Sequence, residues 1–328
     1  MYSHKNIRVF DDSLPFLKGN LHGHTVLSDG KLTHEEVIKR YKAKGYAFLS
    51  FTDHEIYTDF SHLGDDKFVV LPATEWACTW FENGRHKCQH HVNGIKGTKE
   101  MLAAAPNPPI KHMSPMPEIT YEGPQTVQNM RQYLTDRGNF CIYNHPRWSQ
   151  AKPEDIGNLE GFAAIDIFNY NVGEYNHVAD STLFWDFLLR AGVRINGVAV
   201  DDNHNDPDNP NAPDDSFGGW VMVNAEKIDH ESIASALVEG RYYSTNGPSI
   251  YNYGIKAGYV FAECSPVKRI CFVAGGATSI GGIVRGANGS DVTQGVYKLT
   301  GKERFIRIEC IDENGKTAWS NPIYGEWE

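Results

Sequence analysis

Short apolar runs separated by polar, glycine-bearing turns recur along the first three quarters of the chain. Ala47-Phe48-Leu49-Ser50-Phe51 is nearly continuous in apolar character, as expected of a strand covered on both faces. Similar runs stand at Phe68 to Leu71, His91 to Ile95, Phe140 to Tyr143, Ala164 to Phe168 and Val198 to Val200. Helical patterns fall between them. Thr33 followed by Glu36 makes a capping box, Val37, Ile38 and Tyr41 give the helix an apolar face, and Gly45 ends it. Further helices are predicted near Thr126 to Arg137 and Ser181 to Ala191. Strands alternating with helices predict parallel βαβ units, and their number predicts a closed or nearly closed barrel.

The pattern changes after about Pro248. Helical periodicity stops, glycines crowd together (Gly275-Gly276, Gly281-Gly282, Gly286, Gly289), and strand-like runs appear at Val296 to Leu299 and Phe305 to Ile308. Asp312-Glu313-Asn314-Gly315 reads as a hairpin turn. The chain therefore divides into residues 1–247 and a small antiparallel, sandwich-like β domain over 248–328. Ala104 to Pro117 carries five prolines and no period, and is predicted to be a surface loop bordering the site.

Composition narrows the function classes. With 31 Lys+Arg against 41 Asp+Glu the formal charge is −10, which argues against an extended nucleic-acid surface or an anionic membrane as partner. No apolar stretch approaches membrane-spanning length, and Met1 to Phe16 lacks the apolar core of a leader, so the expectation is a cytoplasmic protein. The six cysteines form no CxxC pair and read as buried thiols. The 14 histidines are the unusual feature, and many of them fall at the predicted carboxyl ends of strands.

Those ends carry His22 and His24, Asp53 and His54, Glu75, His91, His145, Asp202 and His204. In a barrel of parallel strands the functional residues come from that face. The single-residue spacing of His22-x-His24 and Asp202-x-His204 puts each pair on one side of an extended segment. Imidazole and carboxylate together suit zinc, manganese or iron, and this many donors exceed the four that a single tetrahedral ion needs. A lone HxH motif is as readily a surface turn, Asp53 a helix cap, and His145 a buried hydrogen-bonded histidine. Several such accidents at the same end of successive strands are not expected together, because burying these groups unpartnered is costly.

His22-Gly23-His24-Thr25, Ser28-Asp29-Gly30, Thr52-Asp53-His54, Glu75, His91-Val92-Asn93-Gly94, Asn144-His145-Pro146 and Asp202-Asn203-His204, in that order, resemble the motifs of the PHP (polymerase and histidinol phosphatase) superfamily. The region from Gly219 through Ala318-Trp319-Ser320-Asn321-Pro322-Ile323 resembles its stand-alone branch of carbaryl-hydrolase-like proteins. The resemblance implies a distorted (β/α)7 barrel with two or three divalent ions and an appended β domain. It assigns His22, His24, Glu75 and Asp202 to one ion, with Glu75 bridging to a second held by His91 and His145. A third ion would use His54 and His204. Asp29 stands near the place where many relatives have a histidine, so it either substitutes as a ligand or leaves that site weak or empty. Asp53 is either a ligand or a group that orients a neighbouring histidine. His90 is expected on the strand face opposite His91.

Two cations close together lower the pKa of a shared water toward neutrality and draw charge from the centre under attack. The expectation is therefore a metal-dependent hydrolase, foremost a phosphoesterase acting on a small phosphorylated metabolite. An amide, carbamate or ester hydrolase on the same centre and a catalytically inert binding protein are the alternatives. Glu75 acts as the bridge, and His54 or His204 protonates the leaving group where no third ion is held. Arg147 is placed after His145-Pro146 to fork onto an anionic substrate. Trp76 and Trp148 are candidates for the pocket wall.

Overall fold

The computed structural model describes residues 6–156 and 159–325; the first five and last three residues of the two expected regions lie outside that range. The apolar runs become strands for the expected reason. Phe48–Ser50 and Asn139–Tyr143 are buried at every position, because each is covered on both faces. Phe16–Asn20, Phe48–Ser50 and Val69–Leu71 pair in parallel. Gly19 is required there: a Cβ would sit 2.1 Å from the Phe48 ring. Asn139–Tyr143, Ala164–Asn169 and Asn196–Val200 form a second parallel set.

The ring of strands differs from expectation in two ways. Arg85–Lys96 runs antiparallel to both of its neighbours, Ala73–Glu82 and Asn139–Tyr143. The cause is local. Asn83 (φ 52°) and Gly84 (φ 73°) both adopt the left-handed conformation, the requirement of a two-residue hairpin turn that Asn-Gly meets best. The second difference is that no ladder closes the barrel among the described residues. The two sheets meet through isolated bridges, Gly23 with Asn203 and His54 with Glu75. Those bridges lie at the strand ends where the histidines gather.

The helix His34–Ala43 begins with both halves of the predicted capping box: Thr33 N donates to Glu36 Oε2 (2.8 Å) and Glu36 N to Thr33 Oγ1 (3.3 Å). Such a cap contributes about 1 kcal/mol. Val37, Ile38 and Tyr41 are buried against Leu49, Phe51 and Val70. Helices Gln125–Thr135 and Thr182–Arg190 stand where the periodicity puts them.

Beyond residue 248 the chain is antiparallel β structure. Ile250–Lys256, Tyr259–Val267 and Val292–Lys298 form one sheet, and Ile7–Arg8 from the chain start adds an edge strand to it. Arg269–Gly275, Phe305–Ile311 and Thr317–Ser320 belong to a second sheet, which continues through Tyr242–Thr245 and Trp220–Asn224 to Phe16–Asn20. Val260, Ile270, Phe272 and Ile308 fill the space between. Asp312 to Gly315 turns the chain as expected, with Asp312 Oδ1 accepting from Asn314 N at 2.8 Å and Gly315 at φ 79°. Among the described residues no helix is long and apolar enough to cross a membrane.

Candidate metal centre

The histidine-bearing segments are fastened together from beneath. Asn20 Nδ2 donates to Asp201 Oδ2 (2.7 Å), and Asn20 Oδ1 accepts from the backbone N–H groups of His22 (3.2 Å) and Asp201 (3.3 Å). The Tyr41 hydroxyl lies 2.8 Å from both Asp201 Oδ2 and Asn203 Oδ1. His24 N donates to Asn203 O and Asp202 N to His22 O, so the two pairs of donors are zipped side by side. Gly30 packs on the same turn, where a Cβ would lie 2.6 Å from the His24 carbonyl carbon. Backbone that cannot yield makes glycine necessary there. His145 (φ 23°), Asp202 (φ 58°) and Glu55 (φ 60°) all hold left-handed conformations. Such strain costs of order 1 kcal/mol per residue and gathers where surrounding contacts fix a functional geometry.

Three groups of donors result: His22, His24, Glu75 and Asp202; His54, Glu75 and His91; and His24, Asp29, His54 and His204. In the first, His22 Nε2 lies 3.2 Å from Glu75 Oε2 and 3.1 Å from Asp202 Oδ1. His24 Nε2 lies 3.3 Å and 3.0 Å from the same two oxygens. Ligands ~2.1 Å from a tetrahedral ion stand about 3.4 Å from one another, so these separations match the edges of a coordination polyhedron. Around the second, His91 Nδ1 is 2.9 Å and His145 Nε2 3.4 Å from Glu75 Oε1, while His54 Nδ1 is 3.2 Å from Oε2. In the third, Asp29 reaches His204 Nε2 (3.4 Å), His54 Nε2 (3.5 Å) and His24 Nδ1 (3.7 Å).

Glu75 Oε2 is the telling atom. It is buried and makes no hydrogen bond, although nitrogens of His22, His24 and His54 stand 3.2–3.3 Å away. Distance is satisfied and hydrogen-bond direction is not, as when several donors aim at a point between them. The residues thus fit divalent ions, and the tautomers agree. His204 Nδ1 faces the Asp202 carbonyl at 2.9 Å, which makes it the N–H and leaves Nε2 with a lone pair toward Asp29. Each neutral imidazole has one such lone pair, so His24 and His54 can each serve only one of the two groups in which they appear.

Electrostatics point the same way. Burial pushes the Glu75 and Asp202 carboxyls up, but the surrounding imidazoles outweigh it and hold both below the usual range. For His24 burial opposes protonation, yet Asp202 and Glu75 leave its pKa raised. Burial drives Asp166 up to about 7. The His22 and His24 side chains are sealed at 0 % exposure, whereas Asp29 at 53 % opens the third group to a cavity of about 440 Å³. Seven of the donors line that cavity, together with Glu55, Ala77, Gln89, Trp148, Asn171 and Val172.

The structure places Arg147 and Trp76 away from the cavity and decides between the two roles open to Asp53. Arg147 is exposed and does not line the cavity: the turn at His145 presents Trp148 instead, whose ring packs edge-on to His145 at 4.9 Å. Asp53 belongs to none of the three donor groups. Its carboxylate accepts from Thr25 N (2.8 Å) and Ser28 Oγ (2.9 Å), and Ser28 Oγ lies 3.4 Å from His24 Nδ1, so it orients a histidine through a hydroxyl. Trp76 is buried in the core, donating to Pro117 O, and forms no wall. Supporting residues missed from sequence include Asn144, whose amide donates to Glu75 Oε1 at 2.7 Å, and Asn169, which donates to Asp202 Oδ2 at 3.0 Å. Asp166 accepts from His145 N, and Asp215 from His204 N. Asp166 within Ala164-Ile165-Asp166-Ile167-Phe168 carried a signal, a lone charge in a strand buried on both faces.

His90 faces away from Glu75, with Nδ1 2.7 Å from the Tyr143 hydroxyl and its ring stacked on Tyr121. Burial pushes its pKa down to about 4. Above an unfolded-state value of ~6.5 neither state is protonated; below it the unfolded chain binds a proton that the folded chain refuses. Stability is therefore lost as pH falls from ~6.5 toward 4, by up to about 3 kcal/mol from this group. Denaturant titrations over that range should show a shallower acid loss in His90→Gln than in the parent, and parallel curves would exclude His90 as the cause.

No protein-family model matches the chain, and no curated protein does. Among solved structures it is similar to a two-domain protein from Bacteroides vulgatus containing a predicted PHP-like metal-dependent phosphoesterase, at 13% identity over 96% of each chain with a TM-score of 0.47. A candidate metal-dependent phosphoesterase from Bifidobacterium adolescentis matches at 13% identity and TM-score 0.38, over 69% of this chain and 98% of that one. An amidohydrolase from Chromobacterium violaceum, with bound sulfate and no metal, matches at 16% identity and TM-score 0.38, over 58% and 88%.

Proposed function

We propose that the chain is a metal-dependent hydrolase whose substrates are small phosphomonoesters. The observation that carries this reading is the buried Glu75 carboxylate, flanked by His22, His24, His54, His91 and His145, with one oxygen that makes no hydrogen bond. His22, His24, Glu75 and Asp202 would hold one zinc, manganese or iron ion, and Glu75, His91 and His145 a second. Counting one lone pair per imidazole leaves Asp29, His54 and His204 for a third. Divalent ions supply Lewis acidity for an attacking water and for the phosphoryl oxygens. The two facing sheets then read as an opened (β/α)7 barrel, with the ions at the strand ends.

The chain's own residues position and protonate. Asn144 and Asn169 fix Glu75 and Asp202 by their amide hydrogen bonds. Asp215 accepts from His204 N and from the Asn171 amide, which steadies His204; with His54, His204 borders the open side of the cavity. Where the outer group holds no ion, either imidazole is placed to give a proton to the leaving oxygen. Trp148 covers His91 and His145 and limits water on that flank.

A second reading, an amide, carbamate or ester hydrolase, is favoured by one observation: among the described residues no lysine or arginine lines the cavity. Phosphate recognition would thus rest wholly on the ions. Paired assays of p-nitrophenyl phosphate and p-nitrophenyl acetate with added Mn²⁺ or Zn²⁺ separate the two. The expected result is phosphate turnover abolished by a chelator and restored by metal; turnover of the acyl ester alone would replace the phosphoesterase reading.

A further inference from the structure

Among the carboxylates lining the cavity, Asp29, Glu75 and Asp202 belong to the metal-holding groups and Glu55 does not. Glu55 is nonetheless held firmly. Its N–H donates to Glu75 O (2.9 Å), its carbonyl accepts from Met116 N (2.8 Å), and its Oε1 accepts from Ala77 N (2.7 Å). These bonds keep a side-chain-bearing residue at φ 60°, a conformation that glycine or asparagine would adopt more easily. Strain maintained beside a reactive centre is a pointer to function. The rest of the wall outside the donor groups is neutral: the Gln89 and Asn171 amides, the Trp148 indole, Ala77 and Val172. Among the described residues Glu55 is therefore the only formally charged one on this lining outside the metal-holding groups, and it is negative.

We infer that Glu55 is a specificity-determining residue that selects substrates whose leaving group bears a hydrogen-bond donor, a hydroxyl or an ammonium, and rejects those bearing a second anion. The inference rests on the phosphoesterase reading and narrows it. Glu55 Oε1 is already engaged by Ala77 N, while among the described residues the other oxygen has no hydrogen-bond donor and remains to receive one. A carboxylate or second phosphate on the leaving group would meet like charge, with no lysine or arginine among the described residues of the wall to offset it. The phosphoryl group itself is drawn to the ions, so discrimination falls on the remainder of the molecule.

Glycerol 3-phosphate and 3-phosphoglycerate differ by a hydroxymethyl group against a carboxylate, and their kcat/KM ratio in the metal-loaded enzyme reads the discrimination directly. The parent enzyme should favour glycerol 3-phosphate. Glu55→Gln keeps an oxygen for the Ala77 N–H and removes the charge, and should lower the ratio by about tenfold or more. Glu55→Lys should lower it further by drawing in the carboxylate. A ratio unchanged in both variants overturns the inference. If neither phosphate is hydrolysed, the phosphoesterase reading fails separately, and the same ratio is read on glycerol monoacetate against 3-O-acetylglycerate. There, too, an unchanged ratio overturns the role of Glu55, and hydrolysis of neither pair overturns both readings.

Discussion

Glu75→Gln should lose bound metal and hydrolytic activity together. Its carboxylate is the only group shared by two of the three donor clusters outside the histidines, and its two oxygens divide five imidazoles between them. The amide is nearly the same size, so packing is preserved while the negative charge is removed. One oxygen also becomes an N–H₂ that points donors at nitrogens needed as acceptors. Removing one partner from a buried charge cluster costs about 3–5 kcal/mol, equivalent to roughly 10²–10⁴ in affinity. A fall in kcat/KM of at least that order is expected, because every step that depends on the ions is lost with them. Metal stoichiometry by elemental analysis, read beside kcat/KM and far-UV circular dichroism, separates this from unfolding. A variant that folds, binds its full complement of metal and turns over at the parent rate would remove Glu75 from the bridging position.

The donors around Glu75 were legible in the sequence because metal-ligand chemistry is confined to few residue types. His22-x-His24, His54, His91, His145 and Asp202-x-His204 are conspicuous at strand ends, and Asp29 followed from its place in an ordered motif. Their support was not. Asn20, Asn144, Asn169 and Asn203 act as buried crosslinks, yet asparagine in a polar stretch looks the same whether it faces a carboxylate or solvent. Arg147 was misread because its neighbour's backbone could not be foreseen: a left-handed His145 rotates the following residues, so the indole rather than the guanidinium meets the cavity.

The fold was legible to the same depth. Apolar runs located the strands, but strand direction depends on connections, and the connection that mattered was two residues long. Asn83-Gly84 between Ala73–Glu82 and Arg85–Lys96 is a hairpin signal that overrides the βαβ rhythm on either side. The Ile7–Arg8 strand, pairing with Ile255 and Gly254, was illegible for another reason. Two residues have no detectable period, and their partners lie almost the whole chain away.

Arg307→Met should destabilise the folded chain by about 3–5 kcal/mol without changing metal content. Arg307 is 2 % exposed in the strand Phe305–Ile311, a position where the strand's alternation would otherwise put an apolar side chain. Its guanidinium reaches Asp186 Oδ1 at 2.9 Å, pairs with Glu309, and lies 4.6 Å from the centre of the Trp185 ring. Asp186 and Trp185 belong to the helix Thr182–Arg190, so one side chain joins that helix to the antiparallel sheet. Methionine replaces the packing of the alkyl stem but takes the guanidinium from two carboxylates at 16 % and 19 % side-chain exposure, leaving Asp186 only the half-exposed Arg190 at 3.8 Å. Whether the cluster stabilises the fold or merely tolerates its own burial is answered by removing all three charges. Arg307→Met with Asp186→Leu and Glu309→Leu should recover most of the loss, because no desolvated charge is then left unpaired. Urea or guanidinium titrations of the single and triple variants measure the difference. A single variant within 1 kcal/mol of the parent on the same titrations would show that these carboxylates find water or other partners, and that the helix and sheet are held by apolar contact alone.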